Sequence, residues 1–169
     1  MTISYWAGVD PGLVHTGVVV ARFNPDLKDI KLFHELFPGL DASPIALWLS
    51  RINVSDMTTY IEGYRPRAHL SPDKEMVAGV ANLHNVLRRN LVLDNMGVKK
   101  VVTDSAMRAL DMWNWHTSSH HQDLRSAARI MLLGMYRDDE GNQLIYNVLK
   151  DGVDGNYWNI VHKDRGDTR

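Results

Sequence analysis

Three carboxylates and a histidine stand where they could do chemistry. Asp10 ends the apolar run Trp6-Ala7-Gly8-Val9 and begins the turn Asp10-Pro11-Gly12, from which Leu13-Val14-His15-Thr16-Gly17-Val18-Val19-Val20 leads away. Glu62 directly follows Tyr60-Ile61. Asp123 opens a late apolar-periodic stretch, with His120 three residues before it. An acid held at a strand end, with slim backbone around it, suits a metal ion, a phosphate, or both. Mg²⁺ takes oxygen ligands and keeps several waters, and a histidine in the set shifts the preference toward Mn²⁺ and other borderline metals. Two such ions about 3.5–4 Å apart activate a water and stabilise the leaving oxygen of a phosphodiester, with no protein nucleophile required. Each residue also has a plainer reading. An acid at a strand end is often only solvated, and Asp123 favours a helix N-terminus through the dipole. His116, His120 and His121 read equally as a polar loop cluster.

The elements that must hold these groups follow from local pattern. Residues 4–10 and 16–23 read as two strands joined by a short glycine-bearing link, a hairpin. Residues 30–37 alternate and form a third strand, broken by Pro38-Gly39. Ser43 is the expected N-cap of a short helix, Pro44–Ile52. Residues 57–62 form a fourth strand that ends on Glu62. Ser71-Pro72-Asp73-Lys74-Glu75 starts a helix, continued by Val77, Val80, Leu83, Leu87 and Leu91 and ended by Asn95-Met96-Gly97. Lys99–Thr103 is the expected fifth strand. Ser105–Trp113 is ambiguous. The last helix runs from about His120 to Arg137, so that His120 and Asp123, three apart, share a face. From Asp138 onward the chain is polar, with one apolar patch at Leu144, Ile145, Val148 and Leu149. One domain is expected over residues 1–140, with 141–169 as an extension of it.

The 169 residues suffice for one domain with a substantial core, and 44% apolar with 23% charged residues is ordinary for a globular protein. No apolar run approaches the ~20 residues that span a bilayer, so no membrane segment is expected. The N-terminal residues lack the basic start and long apolar stretch of a signal peptide. There is no cysteine, which excludes disulfides and thiolate zinc sites. These features lead to an expectation of the cytoplasm. The net charge of -1 is low for a nucleic-acid partner, although a local basic stripe can coexist with acidic surface elsewhere.

Taken together, Asp10-Pro11-Gly12 with Thr16-Gly17, then Ile61-Glu62, then His120 and Asp123 with Ala127-Ala128 behind them, resemble the motifs of the RuvC family of Holliday-junction resolvases over about residues 5–137. The resemblance implies a ribonuclease-H-like α/β fold. Its five-stranded mixed sheet, three antiparallel strands and then alternating strands and helices, would be flanked by helices. It implies a metal-dependent endodeoxyribonuclease with Asp10, Glu62, His120 and Asp123 as catalytic metal ligands and two Mg²⁺ or Mn²⁺ ions. It implies a homodimer acting on a four-way DNA junction, with the helix at about Asp73–Leu93 at the dimer interface and the cytoplasm, a host's if phage-encoded, as its location. The loop after Glu62 would face DNA, with Arg65, Arg67, His69 and Lys74 on phosphates and Tyr64 stacking on a base. Arg125, Arg129, Lys99 and Lys100 are further phosphate candidates. Broader debranching of DNA and catalytically weak junction binding stay open as alternatives. A sugar-kinase or actin-like ATPase also carries Asp-x-Gly after a strand, but needs a second domain and a second phosphate motif. The Met112-Trp113-Asn114-Trp115 stretch has no clear counterpart in the RuvC family.

Overall fold

The computed structural model describes residues 2–52, 55–115 and 121–163. The chain runs β1 (Ser4–Asp10), β2 (His15–Asn24), β3 (Asp29–Pro38), α1 (Ala42–Ile52), β4 (Met57–Glu62), α2 (Lys74–Val86), β5 (Asn90–Leu93), α3 (Val98–Val101), α4 (Asp104–Ala109), α5 (His121–Arg137), α6 (Asp139–Val153) and β6 (Asn159–Lys163). The strands form one six-stranded sheet in the order β5-β4-β1-β2-β3-β6. β1, β2 and β3 pair antiparallel, while β4 pairs parallel with β1, β5 with β4, and β6 with β3.

Helices cover both faces, which is why the strands are apolar on both sides. Trp6, Val19, Ala21, Phe23, Ile30, Leu32 and Tyr60 pack with the buried sides of α5 and α6. Ala7, Val9, Val18, Val20, Phe33, Phe37 and Ile61 pack with α1 and α2. The central strands therefore sit in a double core, and their carboxyl-terminal ends are rigid places from which to hang a side chain. Among the described residues, no helix is long and apolar enough to cross a membrane.

Several elements differ from the expectation. The helix that begins at Lys74 stops at Val86 rather than reaching residue 95. Asn90 donates to the carbonyls of His84 and Leu87, and Arg89 takes a left-handed φ of 44°, so the chain turns out of the helix. Asn90–Leu93 then pairs with β4, and this edge pairing overrides the continued apolar spacing at Leu91. Lys99–Thr103 is not a strand. Gly97, at φ 74°, opens the single helical turn α3 instead, and the place beside β4 is taken by β5. Helix α1 begins at Ala42, and Asp41 rather than Ser43 supplies the side-chain acceptor, taking the Ser43 N–H at 3.0 Å. The ambiguous stretch contains α4 as a short helix. Leu144, Ile145 and Val148 are the buried side of α6, and the segment beyond it adds β6, so the sheet has six strands where five were expected.

Candidate active site

The register of the sheet brings two of the acids together. Val9 lies opposite Ile61 in the parallel β1–β4 pair, so Asp10 and Glu62 leave adjacent strands at the same level and the same edge. On its other side Asp10 pairs with Gly17. Helix α5 crosses this edge. A Cβ on Gly17 would lie 2.7 Å from the Asp123 carbonyl oxygen and 3.3 Å from the Asp123 Cβ. One helical turn on, a Cβ on Gly8 would lie 2.0 Å from the Ala127 oxygen. The missing side chains at residues 8 and 17 let α5 seat directly on the sheet, and that seat puts Asp123 over the Asp10–Gly17 pair.

The turn after Asp10 is braced. The Thr16 hydroxyl donates to the Gly39 carbonyl at 2.5 Å and accepts the Gly12 N–H at 3.3 Å. The Gly39 N–H in turn donates to the Val14 carbonyl at 2.9 Å. Thr16 and Gly17, neighbours in one motif, thus do separate jobs: one ties the turn to the end of β3, the other makes room for Asp123.

Electrostatics mark Asp10 as the centre. Burial pushes its carboxyl up to about 9, helped by a hydrogen bond with Glu62 and by the charges of Glu62 and Asp123. Three acids thus crowd one strand end, and burial there favours the neutral form of Asp10. The Asn95 side-chain amide donates to Glu62 Oε1, fixing one oxygen of that carboxylate. This donor set is all oxygen, which fits a hard divalent cation in the place of the Asp10 proton. Among the described residues, no three acids or histidines yet close into a metal-holding group. His120 lies outside the described residues.

Asp10, Glu62 and Asn95 open into a cavity of about 440 Å³ whose other walls are Pro11, Gly63, Tyr64, Arg65, Pro66, Arg67, Ala68 and Met76. The loop after Glu62 therefore does line the acids. Tyr64 accepts the Asp73 N–H on its hydroxyl at 3.0 Å, beside the N-cap that Asp73 makes for α2. Arg65 is tied to Asp94 at 2.6 Å, with both side chains about half exposed, and touches the Met96 sulfur. Such a surface pair is weak and easily exchanged for a phosphate. Arg67, His69 and Lys74 are exposed. Arg125 is elsewhere, on α5, donating from Nε to the Trp113 carbonyl at 2.6 Å. Arg129 is buried and paired with Asp104, so it is not a surface phosphate contact. Lys99 and Lys100 are exposed on α3. A larger cavity of about 590 Å³ lies at the opposite end of β4, among Ala46, Leu49, Met57, Val86, Leu87 and Arg89, away from the acids. Sequence reasoning missed Asn95, which it read only as part of a helix stop.

No protein-family model matches the chain, and no curated protein matches it. Among solved structures, the RuvC structure from Thermus thermophilus superposes with a TM-score of 0.54 at 13% identity, covering 81% of this chain and 96% of that one. The chain has a RuvC-like fold. T. thermophilus RuvC in complex with Holliday junction substrate aligns at 12% identity and a TM-score of 0.48 over 92% of this chain and 98% of that one. Fowlpox virus resolvase in complex with substrate Holliday junction DNA aligns at 15% identity and a TM-score of 0.45 over 80% of this chain and 98% of that one. The RuvC resemblance read from Asp10, Glu62 and Asp123 thus holds at the level of the fold, on a sheet one strand larger than expected.

Proposed function

We propose that this chain is a structure-selective endonuclease that hydrolyses phosphodiesters in branched DNA, foremost the four-way junction, working in the cytoplasm as a homodimer. The observation that carries the reading is Asp10: an acid at a buried strand end, crowded by Glu62 and by Asp123, in a RuvC-like fold. Asp10, Glu62 and Asp123 would hold Mg²⁺ or Mn²⁺, two ions in all, with His120 as a fourth ligand. When bound, the ions supply an activated water and neutralise charge at the leaving oxygen.

The chain's own groups do the rest. Asp10, in its carboxylate form, would be the central group that holds the cation. Asn95 holds Glu62 in one orientation by its amide. The wall from Gly63 to Ala68 confines the substrate beside the acids, and Arg65, Arg67, His69 and Lys74 offer phosphate contacts along it. Apolar residues left exposed on α2 and β5 support the homodimer. Of α2 only Gly79 and Leu83 are buried, while Val77 and Val86 stay exposed, as do Leu91 and Val92 of β5.

The test is a cleavage assay on four-way junction, three-way junction, flap and linear duplex, with Mg²⁺, with Mn²⁺ and without metal. Paired symmetric nicks in the four-way junction support a resolvase. Equal cutting of flaps and forks reduces the reading to a debranching nuclease. Tight binding with no cleavage leaves a junction-binding protein. Cleavage that survives Asp10→Asn overturns the mechanism.

A further inference from the structure

The tryptophan stretch that the proposed chemistry leaves unused is built into a cationic stack. The Arg108 and Arg125 guanidinium carbons both lie 4.0 Å from the centroid of the Trp113 ring, and that of Arg129 lies at 5.7 Å. Arg125 is further pinned by its hydrogen bond to the Trp113 carbonyl. Each of the first two charges is 4.0 Å from one point, so they lie at most about 8 Å apart, a separation at which like charges repel appreciably outside bulk water.

One carboxylate offsets this group: Asp104, which pairs with Arg129. Among the described residues, no carboxylate forms an ion pair with Arg108 or Arg125. A cation–π contact needs a single cation. Three converge here, in a chain whose net charge is -1. Positive charge is thus concentrated at one place and held in rotamers that the indole has already fixed, which lowers the entropy cost of engaging an anion.

We infer that the Arg108–Trp113–Arg125 stack is a second grip on the DNA backbone, taking phosphates of the strand that leaves the acids on the α5 side. The inference rests on the nuclease reading above. Asp123 and Arg125 belong to the same turn of α5 but project from different sides of it, so the stack would meet DNA to one side of the acids rather than at them. The planar guanidinium fork matches a phosphate in two hydrogen bonds, which a lysine cannot do. Lys99 and Lys100 are exposed on α3, which also contacts α5. The loop at 64–74 and this stack would then hold DNA on two sides of one acidic centre.

The test uses full-length protein in an Asp10→Asn background, a labelled four-way junction, and fluorescence anisotropy across a salt series. Arg108 is exposed, so Arg108→Gln leaves the fold intact, and a thermal melt checks this. The expected result is a Kd raised by about five- to tenfold near 0.1 M salt, with the salt slope reduced by about one. Arg108→Lys restores the slope but not the affinity. Unchanged Kd and slope in Arg108→Gln, while Arg67→Gln weakens binding, overturn the second grip and leave the nuclease reading standing. A parent protein that binds no junction overturns both.

Discussion

Replacing Asp10 with asparagine should stabilise the metal-free protein at the same time as it abolishes cleavage. The folded chain holds the Asp10 proton up to about pH 9, against an ordinary value of 3.8. Above pH 3.8 the unfolded chain releases that proton and the folded chain does not. The contribution of Asp10 to stability is therefore fully present below 3.8 and is lost as pH rises toward 9. Neutrality lies about three pH units above the ordinary value, and each is worth about 1.4 kcal/mol, giving a ceiling of about 4 kcal/mol. The cavity onto which Asp10 opens admits water, which cuts the effect to about 1–2 kcal/mol. Asparagine keeps the shape and an N–H donor toward Glu62, with no charge to bury. Asp10→Asn should then melt about 3–8 °C above the parent at pH 8 in EDTA, and the gap should close near pH 4. Divalent metal should raise the melting temperature of the parent by linkage and leave that of the variant unchanged. Circular dichroism melts at both pH values, with and without Mn²⁺, measure all of this. A variant no more stable than the parent at pH 8 would refute the picture of acids crowded without a cation.

Asn95→Ala should lower the cleavage rate about 10- to 100-fold while junction binding holds, because it frees the Glu62 carboxylate to rotate; single-turnover kinetics beside a binding isotherm separate the two. Gly17→Ala puts a methyl against the Asp123 backbone, which the helix relieves only by lifting its first turn; a stability loss of about 1–3 kcal/mol in urea melts is expected, together with loss of cleavage. Val77→Asp, on the exposed side of α2, should shift sedimentation from dimer to monomer without changing the melting of the monomer.

How much of this was legible in the chain depended on how local the cause was. The first four strands were readable because their alternation and their turns sit in the same few residues. Helix α2 was overread because Val77, Val80, Leu83, Leu87 and Leu91 keep a helical spacing straight through a chain reversal. What ends the helix is the side chain of Asn90 folding back on the His84 carbonyl, and what holds the next residues extended is β4, some thirty positions earlier in sequence. Lys99–Thr103 has the composition of a strand, but the place beside β4 is taken by β5 and the segment coils into one helical turn. β6 has the reverse history. Its five residues carry little apolar pattern, yet Asn159 reaches Asp29 and starts a parallel pairing with β3 that no window of sequence could contain.

The site divides along the same line. Asp10, Glu62 and Asp123 were visible because each ends or begins an element, and such ends gather at one edge of a sheet. Asn95 was not, since its approach to Glu62 depends on β5 pairing Leu93 with Glu62 two residues before it. The two strand glycines carry a signal of their own. A glycine inside a strand costs stability and packs nothing, so it marks either a bulge or a close approach. Gly8 and Gly17 stand on neighbouring antiparallel strands, two rows apart, with Gly17 directly opposite the acid at Asp10. Two such positions on one face admit the close approach of a helix backbone, which α5 supplies at Asp123 and Ala127. The glycines thus carry the information that couples Asp123 to Asp10, since an acid one helical turn before Ala127 is seated against Gly17, directly opposite Asp10.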